Sequence, residues 1–481
     1  AILLDRLYDE GTPVCVSGGR TGIVGGAVPV EAKALVSLER LTLPIRVGYD
    51  HEHDEWFARV GAGTRLSELN AALRKRAFEL TDPALYERMG ERVFFYPVDP
   101  TETTATIGGT VATNASGART FAYGPTRAWV RAATVVLPNG NTATITHDKP
   151  QASRGRIVLR THQGQEFAIP VRDIRMPFTK NTAGYHLKRS MSLLDLIVGS
   201  EGTLAVVTEV EVRILPLDPN RLYLLLYLGD GADTPALVDC LRNHERIRPL
   251  AIEYFDARSL DLLRDWRRRF GSSSHVPAMP EAAREAIYVE APFEDEAGLD
   301  AIAADLRGIE AVHGVVHDWA EFTPKGLEAM KRFRHQLPEA VNTIVGQRKH
   351  EAPSLHKVGT DMAVPDRHLR TIMAFYRKTL DASGLEYVIF GHIGDNHLHV
   401  NILPRNEDEL HQAKSLYETF ARKVVSLKGS VSAEHGIGRM KRAFVPLQYD
   451  EERLEAMRAV RRAFDPKGLL NPGVLFESVS S

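Results

Sequence analysis

Short apolar runs dominate the first 216 residues, and most of them are bounded by Gly, Pro or Asn. The clearest runs cover residues 14–16, 130–137, 194–198 and 204–215. Runs of this length between turn-forming residues are typical of strands. Asn139-Gly140 separates two of the runs and is a tight-turn signal. The pattern therefore predicts a strand-rich segment with few helices.

The pattern changes after residue 216, where apolar positions at helical spacing alternate with short apolar runs. The spacing predicts helices over residues 235–248, 280–286, 295–313, 368–382, 407–427 and 451–464. The runs predict strands at 222–228, 287–290 and 387–390, and residues 264–280 are predicted to form a loop. This alternation indicates an α+β domain. The pattern also sets off a third segment, residues 366–481.

Composition excludes several function classes. The 481 residues include 60 Lys and Arg against 62 Asp and Glu, a net charge of −2, which disfavours nucleic acid as the main partner. The two cysteines, Cys15 and Cys240, exclude a disulfide framework and a thiolate metal site, and they favour a reducing, cytoplasmic compartment. No apolar run reaches 18 residues, so no transmembrane helix is expected. Because the chain starts at Ala1, we expect N-terminal residues to be missing.

A glycine-rich stretch, SGGRTGIVGG, follows the first apolar run at residues 17–26. Glycines let backbone N–H groups approach an anion closely. A nicotinamide-binding Rossmann domain needs a helix directly after its glycines, and Val28-Pro29-Val30 interrupts one here. The stretch therefore predicts anion binding outside a Rossmann fold, with an ordinary surface turn as the alternative.

Two further stretches repeat this chemistry. Residues 97–117 contain PVDPT and IGGTVATNASG, and residues 199–204 read GSEGTL. Small hydroxyl-bearing residues around glycines suit a pyrophosphate and ribitol chain lying along backbone amides. One such loop is weak evidence, whereas three in the strand-rich half are stronger.

These loops resemble the FAD-binding half of the vanillyl-alcohol oxidase superfamily, which has the PCMH-type flavin fold. The likeness is closest to the branch that oxidises D-lactate, glycolate and D-2-hydroxyglutarate. It implies an α+β fold: a PCMH-type FAD-binding domain of two α+β subdomains, a substrate-binding cap domain with an antiparallel sheet, and a helical C-terminal segment that packs back on the FAD domain. These parts correspond to residues 1–216, 217–425 and 426–481.

The resemblance also implies which residues hold the flavin. Arg20 stands near the position where some covalent-flavin members carry a histidine, so the FAD is expected to be non-covalent. The implied cofactor-binding residues are Gly18, Gly19, Arg20, Thr21, Gly22, Gly25, Gly26, Pro97, Asp99, Thr101, Gly108, Gly109, Thr113, Asn114, Ser116, Gly117, Glu201, Gly202, Thr203, Val207 and Asn471.

Histidines and carboxylates are concentrated in two motifs, GHIGDNHLHVN at residues 391–401 and SAEHGIG at residues 432–438. Metal sites favour such clusters, although spacing alone leaves ordinary packed or solvated histidines as an equal alternative. If residues 397–401 are extended, His397, His399 and Asn401 share one face.

The resemblance assigns roles within these motifs. It implies that His392, His399 and Glu434 bind a divalent metal (Zn, Mn or Fe) and that His435 is the general base. His397 falls where many relatives have a small or amide residue, so it stays open as a ligand, a neighbour of a ligand, or neither.

A 2-hydroxy acid needs cations to hold its carboxylate, and residues 330–340 supply several. The alternative for this run is a basic helical face in water. The resemblance singles out Arg334 and Lys357 as substrate-binding residues, and Pro338 departs from the hydroxyl residue of some relatives, which disfavours a longer dicarboxylate. Asn401 is expected to contact substrate or hold a ligand. Tyr185 either lines the site or is a packed tyrosine.

The resulting expectation is FAD-dependent oxidation of a small, lactate-like D-2-hydroxy acid to the 2-oxo acid, with hydride passing to flavin N5. The electron acceptor stays open among oxygen, a quinone, a cytochrome, an electron-transfer flavoprotein and a partner subunit. Peripheral membrane contact and a dimer are further expectations. The alternatives are a flavin-free metallohydrolase, a flavin-binding sensor, and a non-redox flavoenzyme like alkyl-dihydroxyacetonephosphate synthase.

Overall fold

The computed structural model describes residues 1–147, 155–188, 190–218 and 220–477. Its strands are β1 (Val14–Ser17), β2 (Ala34–Ser37), β3 (Arg46–Asp50), β4 (Glu55–Gly61), β5 (Glu79–Leu80), β6 (Phe94–Phe95), β7 (Val130–Val136), β8 (Thr142–Thr146), β9 (Arg156–Arg160), β10 (Glu166–Pro170), β11 (Val206–Pro216), β12 (Arg221–Leu228), β13 (Ala251–Phe255), β14 (Glu285–Pro292), β15 (Val315–Glu321), β16 (Val358–Gly359), β17 (Met362–Ala363), β18 (Tyr387–His392) and β19 (His397–Ile402).

The α-helices are α1 (Ile2–Asp9), α2 (Leu66–Lys75), α3 (Leu85–Met89), α4 (Ile107–Thr113), α5 (Thr120–Tyr123), α6 (Leu193–Ile197), α7 (Thr234–Arg242), α8 (Ala257–Phe270), α9 (Glu296–His313), α10 (Pro324–Glu351), α11 (Leu369–Ser383), α12 (Glu407–Ser426), α13 (Val445–Gln448) and α14 (Glu451–Phe464). Short 3-10 helices cover Thr126–Ala128, Gly271–Ser274, Asp366–His368, Ile393–Asp395 and Arg442–Phe444. None of the described helices is both long and apolar enough to cross a membrane.

The chain divides into two compact units. The first unit comprises Ala1–Gly117, Tyr123–Leu217 and Ser430–Ser481, and the second comprises Ala118–Ala122 and Asp218–Gly429. Each unit is therefore built from separated stretches of sequence.

The first unit is organised around the long strand β11, which pairs antiparallel with β4 on one side and β7 on the other. The sheet order is β5-β3-β4-β11-β7-β8, with β6 also pairing with β11. A separate parallel pair, β1-β2, leads into the first glycine-rich stretch. Val14 in β1 accepts a hydrogen bond from Asn471 N and donates one to Leu469 O, so the C-terminal stretch is joined to β1.

The second unit is an antiparallel sheet in the order β15-β12-β14-β13-β18-β19-β16, with β17 also pairing with β19. Its core is formed by the apolar sides of α8 and α10 against β12 and β14. The buried residues Leu260, Phe333 and Leu337 of the helices pack with Tyr223 and Tyr288 of the strands. This layer of helices leaves β13, β18 and β19 as adjacent strands whose polar side chains form the histidine site described below.

Many predicted elements are confirmed. Strands are found at β12 and β18, helices at α9, α11, α12 and α14, and a turn with Gly140 at a φ of 77° links β7 and β8. Residues 397–401 are extended in β19, and residues 18–33 form no helix, as expected from Val28-Pro29-Val30.

Three predictions were wrong. Residues 194–198 form helix α6 rather than a strand, because Ser192 and Asp195 make a capping box and the helix is buried on all sides. Residues 280–286 are not helical and lead into strand β14. The predicted loop at 264–280 is helical as far as Phe270, where Gly271 ends α8 with a φ of 56°.

Candidate active site

The first glycine-rich stretch leaves no room for side chains at its start. A Cβ atom on Gly18 would collide with Thr106 Oγ1, and one on Gly19 would lie 2.9 Å from the Thr104 carbonyl oxygen. Gly19 N donates to Thr106 Oγ1 over 3.3 Å, so this stretch is tied to the second one. The buried Ser17 Oγ has no hydrogen-bond partner among the described residues. The backbone and this hydroxyl are therefore suited to hold a polar ligand group.

Arg20 adopts a φ of 57°, a left-handed conformation that favours glycine. Its guanidinium forms an ion pair with Glu39 at 3.1 Å and is largely exposed. Arg20 is thus held at the surface by Glu39, and its side chain is a weaker candidate for cofactor binding than its backbone.

The second stretch surrounds helix α4. Thr106 caps this helix by accepting a hydrogen bond from Gly109 N, and Asn114 ends it with a φ of 50°. A Cβ on Gly108 would lie 2.6 Å from Ala62 Cβ, and one on Gly117 would collide with the Asp99 carbonyl oxygen. These two glycines are required for close packing of the protein itself.

The third stretch is tied to the C-terminal residues through Glu201. Its carboxylate accepts hydrogen bonds from Ile437 N at 2.8 Å and Gly438 N at 2.7 Å. The Asn471 side chain donates to Glu201 O at 2.8 Å and accepts from Val16 N at 2.7 Å. The polar atoms of Glu201 and Asn471 are therefore used inside the protein, where they hold the proposed cofactor loops in place.

Glu201 should make stability depend on pH. Burial raises its pKa to about 7, although the N–H groups of Ile437 and Gly438 act to lower it. The folded chain then holds more protons than the unfolded chain between about pH 4.5 and 7, so the free energy of unfolding falls as pH rises through this window, by about 3 kcal/mol for this group. Glu201→Gln should flatten that dependence in urea unfolding of the holoenzyme, and an unchanged slope would contradict the assignment.

Tyr185 is fully buried in the first unit. Its hydroxyl lies 2.6 Å from Thr203 Oγ1 and its ring packs edge-on against Phe476. Full burial favours the packed-tyrosine alternative, and a role of Tyr185 in substrate binding stays a prediction.

The remaining residues implied to bind cofactor also lie in the first unit. Thr21, Gly22, Gly25 and Gly26 follow β1; Pro97, Asp99 and Thr101 lie between β6 and α4; Gly109 and Thr113 belong to α4; Ser116 follows it; Gly202 and Thr203 precede β11; and Val207 lies within β11.

Glu434 and His435 sit in a turn of the first unit that is anchored by Thr182. Lys180 Nζ lies 2.8 Å from Glu434 Oε2, and both side chains are buried. His435 Nε2 lies 3.5 Å from Glu434 Oε1 and keeps 27% of its side chain exposed. Thr182 N donates to Ser432 O, and Gly436 N donates to Thr182 Oγ1. The pairing of Lys180 with Glu434 was not predicted, because 254 residues separate the two.

Three histidines converge in the second unit. The pairing of β18 with β19 places His392 opposite His397, and His399 is two residues further along the same face of β19. Ring centroids are 4.4 Å apart for His397 and His399, 5.3 Å for His392 and His397, and 5.2 Å for His392 and His399. One ring nitrogen from each lies within 4.8 Å of the others, a spacing compatible with a shared metal ion.

Each of these imidazoles has an acceptor behind it. His392 Nδ1 lies 2.6 Å from Glu253 Oε1 in β13, and His399 Nδ1 lies 3.1 Å from the Thr360 carbonyl oxygen. His397 Nε2 lies 3.0 Å from Asp361 Oδ1. Metal-ligating histidines usually donate their second ring N–H to such a group. Sequence analysis missed Glu253, Thr360 and Asp361, since only strand pairing brings them to the histidines.

Gly391 makes room for His399. It adopts a φ of 118°, and a Cβ there would lie 2.6 Å from His399 Cδ2. We expect Gly391→Ala to displace this imidazole and weaken metal binding about 10–100-fold, as is typical when the support of a ligand is lost. Metal titration of the holoenzyme measures this. Gly384→Ala is the control, because Gly384 also has a positive φ but open space around it; equal losses in both variants would contradict a specific role for Gly391.

A buried cluster of charges surrounds Glu290 in β14. Arg119 Nε lies 2.8 Å from Glu290 Oε2, Arg334 Nη1 lies 3.7 Å from Oε1, and Tyr288 donates its hydroxyl to Oε1. Burial acts to raise the pKa of Glu290, but the two guanidiniums hold it below its ordinary value. Two guanidiniums paired with one carboxylate carry a net positive charge, which favours binding of an anion beside them. The sequence singled out Arg334 but not Arg119.

Lys357 and Asn401 lie at one end of β19. Lys357 precedes β16, which pairs with β19 at Ile402 and Asn401, and burial lowers its pKa. Asn401 is buried and donates a hydrogen bond to the His399 carbonyl oxygen at 3.2 Å. Asn401 thus supports the strand that carries His399.

Comparison with known proteins agrees with this arrangement. Residues 223–475 match the family described as FAD linked oxidases, C-terminal domain. Residues 3–90 and 80–146 match the FAD binding domain. This chain belongs to the FAD-linked oxidases. The predicted α+β fold with a PCMH-type FAD-binding domain is confirmed, and the family assignment removes the flavin-free metallohydrolase.

Curated relatives of this FAD-linked oxidase match nearly its full length. A D-lactate dehydrogenase of Anaerostipes hadrus is 28% identical over 96% of this chain and 84% of its own. Glycolate oxidase subunit GlcD of Bacillus subtilis is 26% identical over 98% of this chain and 86% of its own. A solved alkyldihydroxyacetonephosphate synthase shares the fold with a TM-score of 0.61 and 15% identity, covering 98% of this chain and 73% of that one.

The glycine-rich stretches of this FAD-linked oxidase fit its cofactor. FAD carries a pyrophosphate, and the backbone at Gly18 and Gly19 together with Ser17 Oγ offers polar groups where side chains are excluded. The protein is therefore an FAD-linked oxidoreductase.

Proposed function

We propose that this FAD-linked oxidase converts a small D-2-hydroxy acid to the 2-oxo acid. The observation that supports this most is the convergence of His392, His397 and His399, each with a carboxylate or carbonyl oxygen beside it, in a unit that also holds the partly buried Arg334. Relatives named D-lactate dehydrogenase and glycolate oxidase subunit support the substrate class. Bound FAD supplies the acceptor for the two electrons removed from C2.

In this proposal Arg334 and Lys357 hold the substrate carboxylate. Arg334 is well suited because its planar guanidinium matches two carboxylate oxygens. The buried Glu290 carboxylate lies 3.7 Å from its Nη1. The lowered pKa of Lys357 indicates desolvation, which strengthens pairing with an anion.

His392 and His399 are proposed as metal ligands, and the family resemblance adds Glu434 as the carboxylate ligand. Nitrogen and oxygen donors of this kind suit Zn, Mn or Fe. A divalent metal supplies Lewis acidity, which lowers the pKa of a coordinated hydroxyl.

His435 is proposed to accept the proton of the 2-hydroxyl. Its exposed fraction leaves it accessible to substrate, and the adjacent Glu434 carboxylate stabilises the protonated imidazole. Loss of that proton and of a hydride from C2 together account for the two electrons and two hydrogens of the oxidation. The electron acceptor beyond FAD is left among the oxygen, quinone, cytochrome, flavoprotein and partner-subunit classes.

Anaerobic absorbance spectroscopy tests the reaction class. The purified yellow protein is mixed with D-lactate, glycolate and D-2-hydroxyglutarate, with L-lactate as the matched control. We expect one of these three acids to bleach the flavin band rapidly. A chelator should abolish the bleaching, and added metal should restore it. A yellow protein that no hydroxy acid bleaches would sink the proposal and favour the non-redox alternative.

A further inference from the structure

We infer that His397 is a third imidazole ligand of the proposed metal and that Asp361 is its positioning residue. The inference rests on the proposed function for the presence of a metal. It assigns a role to a residue that the sequence left open, and it changes the donor set from two imidazoles to three.

Strand geometry places His397 among the two proposed ligands. It lies on the same face of β19 as His399 and directly opposite His392 across the β18–β19 pair. Its ring is the one closest to His399, at 4.4 Å between centroids. One ring nitrogen of His397 lies within 4.8 Å of a ring nitrogen of each neighbour. A metal bound by His392 and His399 alone would therefore still have the His397 imidazole beside it.

Asp361 lies against one side of the His397 ring. Its Oδ1 is 3.0 Å from Nε2, within ion-pair distance, so Nε2 is the nitrogen that faces the carboxylate. The lone pair that would face a metal is then that of Nδ1. The same reasoning puts the lone pairs of His392 and His399 on Nε2, because Glu253 and the Thr360 carbonyl oxygen face their Nδ1 atoms.

One short segment supports two of the histidines. Thr360 and Asp361 are consecutive residues between β16 and β17, and they face His399 and His397 respectively. Thr360 Oγ1 also accepts a hydrogen bond from Val400 N, which fixes the segment against β19. Such paired support is expected when both imidazoles need a defined orientation.

Charge favours the same conclusion. Glu253 and Asp361 are almost fully buried and contact imidazoles that are neutral when they ligate a metal. Burying carboxylates is costly unless a cation offsets them. A divalent ion held by the three histidines would offset the two negative charges.

A nitrogen-rich donor set predicts the metal preference. Imidazole suits Zn and Fe, whereas Mn prefers oxygen donors. The holoenzyme should therefore bind Zn much more tightly than Mn. His397→Asn replaces an imidazole by an amide and should reduce the ratio of Zn affinity to Mn affinity at least about tenfold. Asp361→Asn should weaken Zn binding about 10–100-fold.

The decisive measurement is zinc-edge X-ray absorption of the FAD-loaded protein, which counts imidazoles around the metal. We expect three in the wild type and two in His397→Asn, with competitive Zn and Mn loading measured on both. His411→Asn, an exposed histidine on α12, is the matched control. FAD content and thermal unfolding establish that each variant is folded.

The outcomes separate the two proposals. Zinc bound by two imidazoles in the wild type would overturn the inference and leave the proposed function intact. A wild type that binds no metal would overturn the inference and the proposed metal site, whereas the reaction class is decided separately by the anaerobic flavin assay. If His397→Asn fails to fold, the wild-type imidazole count and the Asp361→Asn affinity still decide the question.

Discussion

Replacing His435 by Gln should lower the rate of flavin reduction by about 10²–10⁴-fold while FAD stays bound, because that is the range lost with a general base. Gln keeps a similar volume but cannot accept the hydroxyl proton. The neighbouring Glu434 is already engaged with Lys180 at 2.8 Å, so it is a poor substitute base. Stopped-flow absorbance with the substrate identified above measures the rate, and the flavin spectrum reports FAD content.

The control for this prediction is His411→Gln, which changes an exposed histidine on α12. The His435 variant should also lose the acidic limb of the pH–rate profile, since that limb reports protonation of the base. A His435→Gln protein that reduces its flavin at the wild-type rate would show that the base lies elsewhere.

Replacing Arg334 by Met should reduce kcat/KM by about 10²–10³-fold, since the substrate carboxylate loses a charge-assisted pair. The same change removes one of the two arginines that pair with Glu290 among the described residues. The Glu290 carboxylate, only 2% exposed, then keeps its ion pair with Arg119. The free energy of unfolding should therefore fall by about 1–3 kcal/mol. Steady-state kinetics and urea unfolding of the variant measure the two effects.

Arg332→Met is the matched control, because Arg332 is on the same helix but exposed and paired only loosely with Glu328 at 3.8 Å. It should change kcat/KM little. If both variants lose activity equally, the effect belongs to the helix charge in general and the assignment of Arg334 fails.

The sequence predicted best those elements in which the hydrophobic periodicity and the residues that mark the ends of the element indicate the same range. Helix α14 begins after the capping residue Asp450 and carries buried residues at helical spacing, so pattern and end signals coincide. The prediction for helix α6 was wrong because its five residues are all buried. A short, mostly apolar run of that length has the same pattern in a buried strand. The helical part of 264–280 was missed because its basic residues and the serines that follow resemble a loop.

The candidate site was predictable only where its residues are adjacent in sequence. His392, His397 and His399 share one motif, and strand alternation puts two of them on one face. Glu253, Asp361 and Arg119 come from distant segments, and nothing local marks a carboxylate that will face a histidine across a strand pair. The family resemblance implied that Glu201 and Asn471 bind cofactor, and this stays a prediction. Their hydrogen bonds to Ile437, Gly438 and Val16 were not predictable, because those residues are distant in sequence.

The discontinuous first unit has a consequence for biosynthesis. The backbone of Val14 and Val16 is hydrogen-bonded to Leu469 and Asn471. The Glu201 carboxylate accepts hydrogen bonds from the N–H groups of residues 437 and 438. These bonds cannot form on the ribosome until residues 430–477 have been translated, whereas the stretch 218–429 is complete earlier and is free to fold first. Flavin capture is therefore expected to be a late, post-translational event, so a released chain truncated after residue 429 should carry a folded antiparallel sheet but no yellow colour.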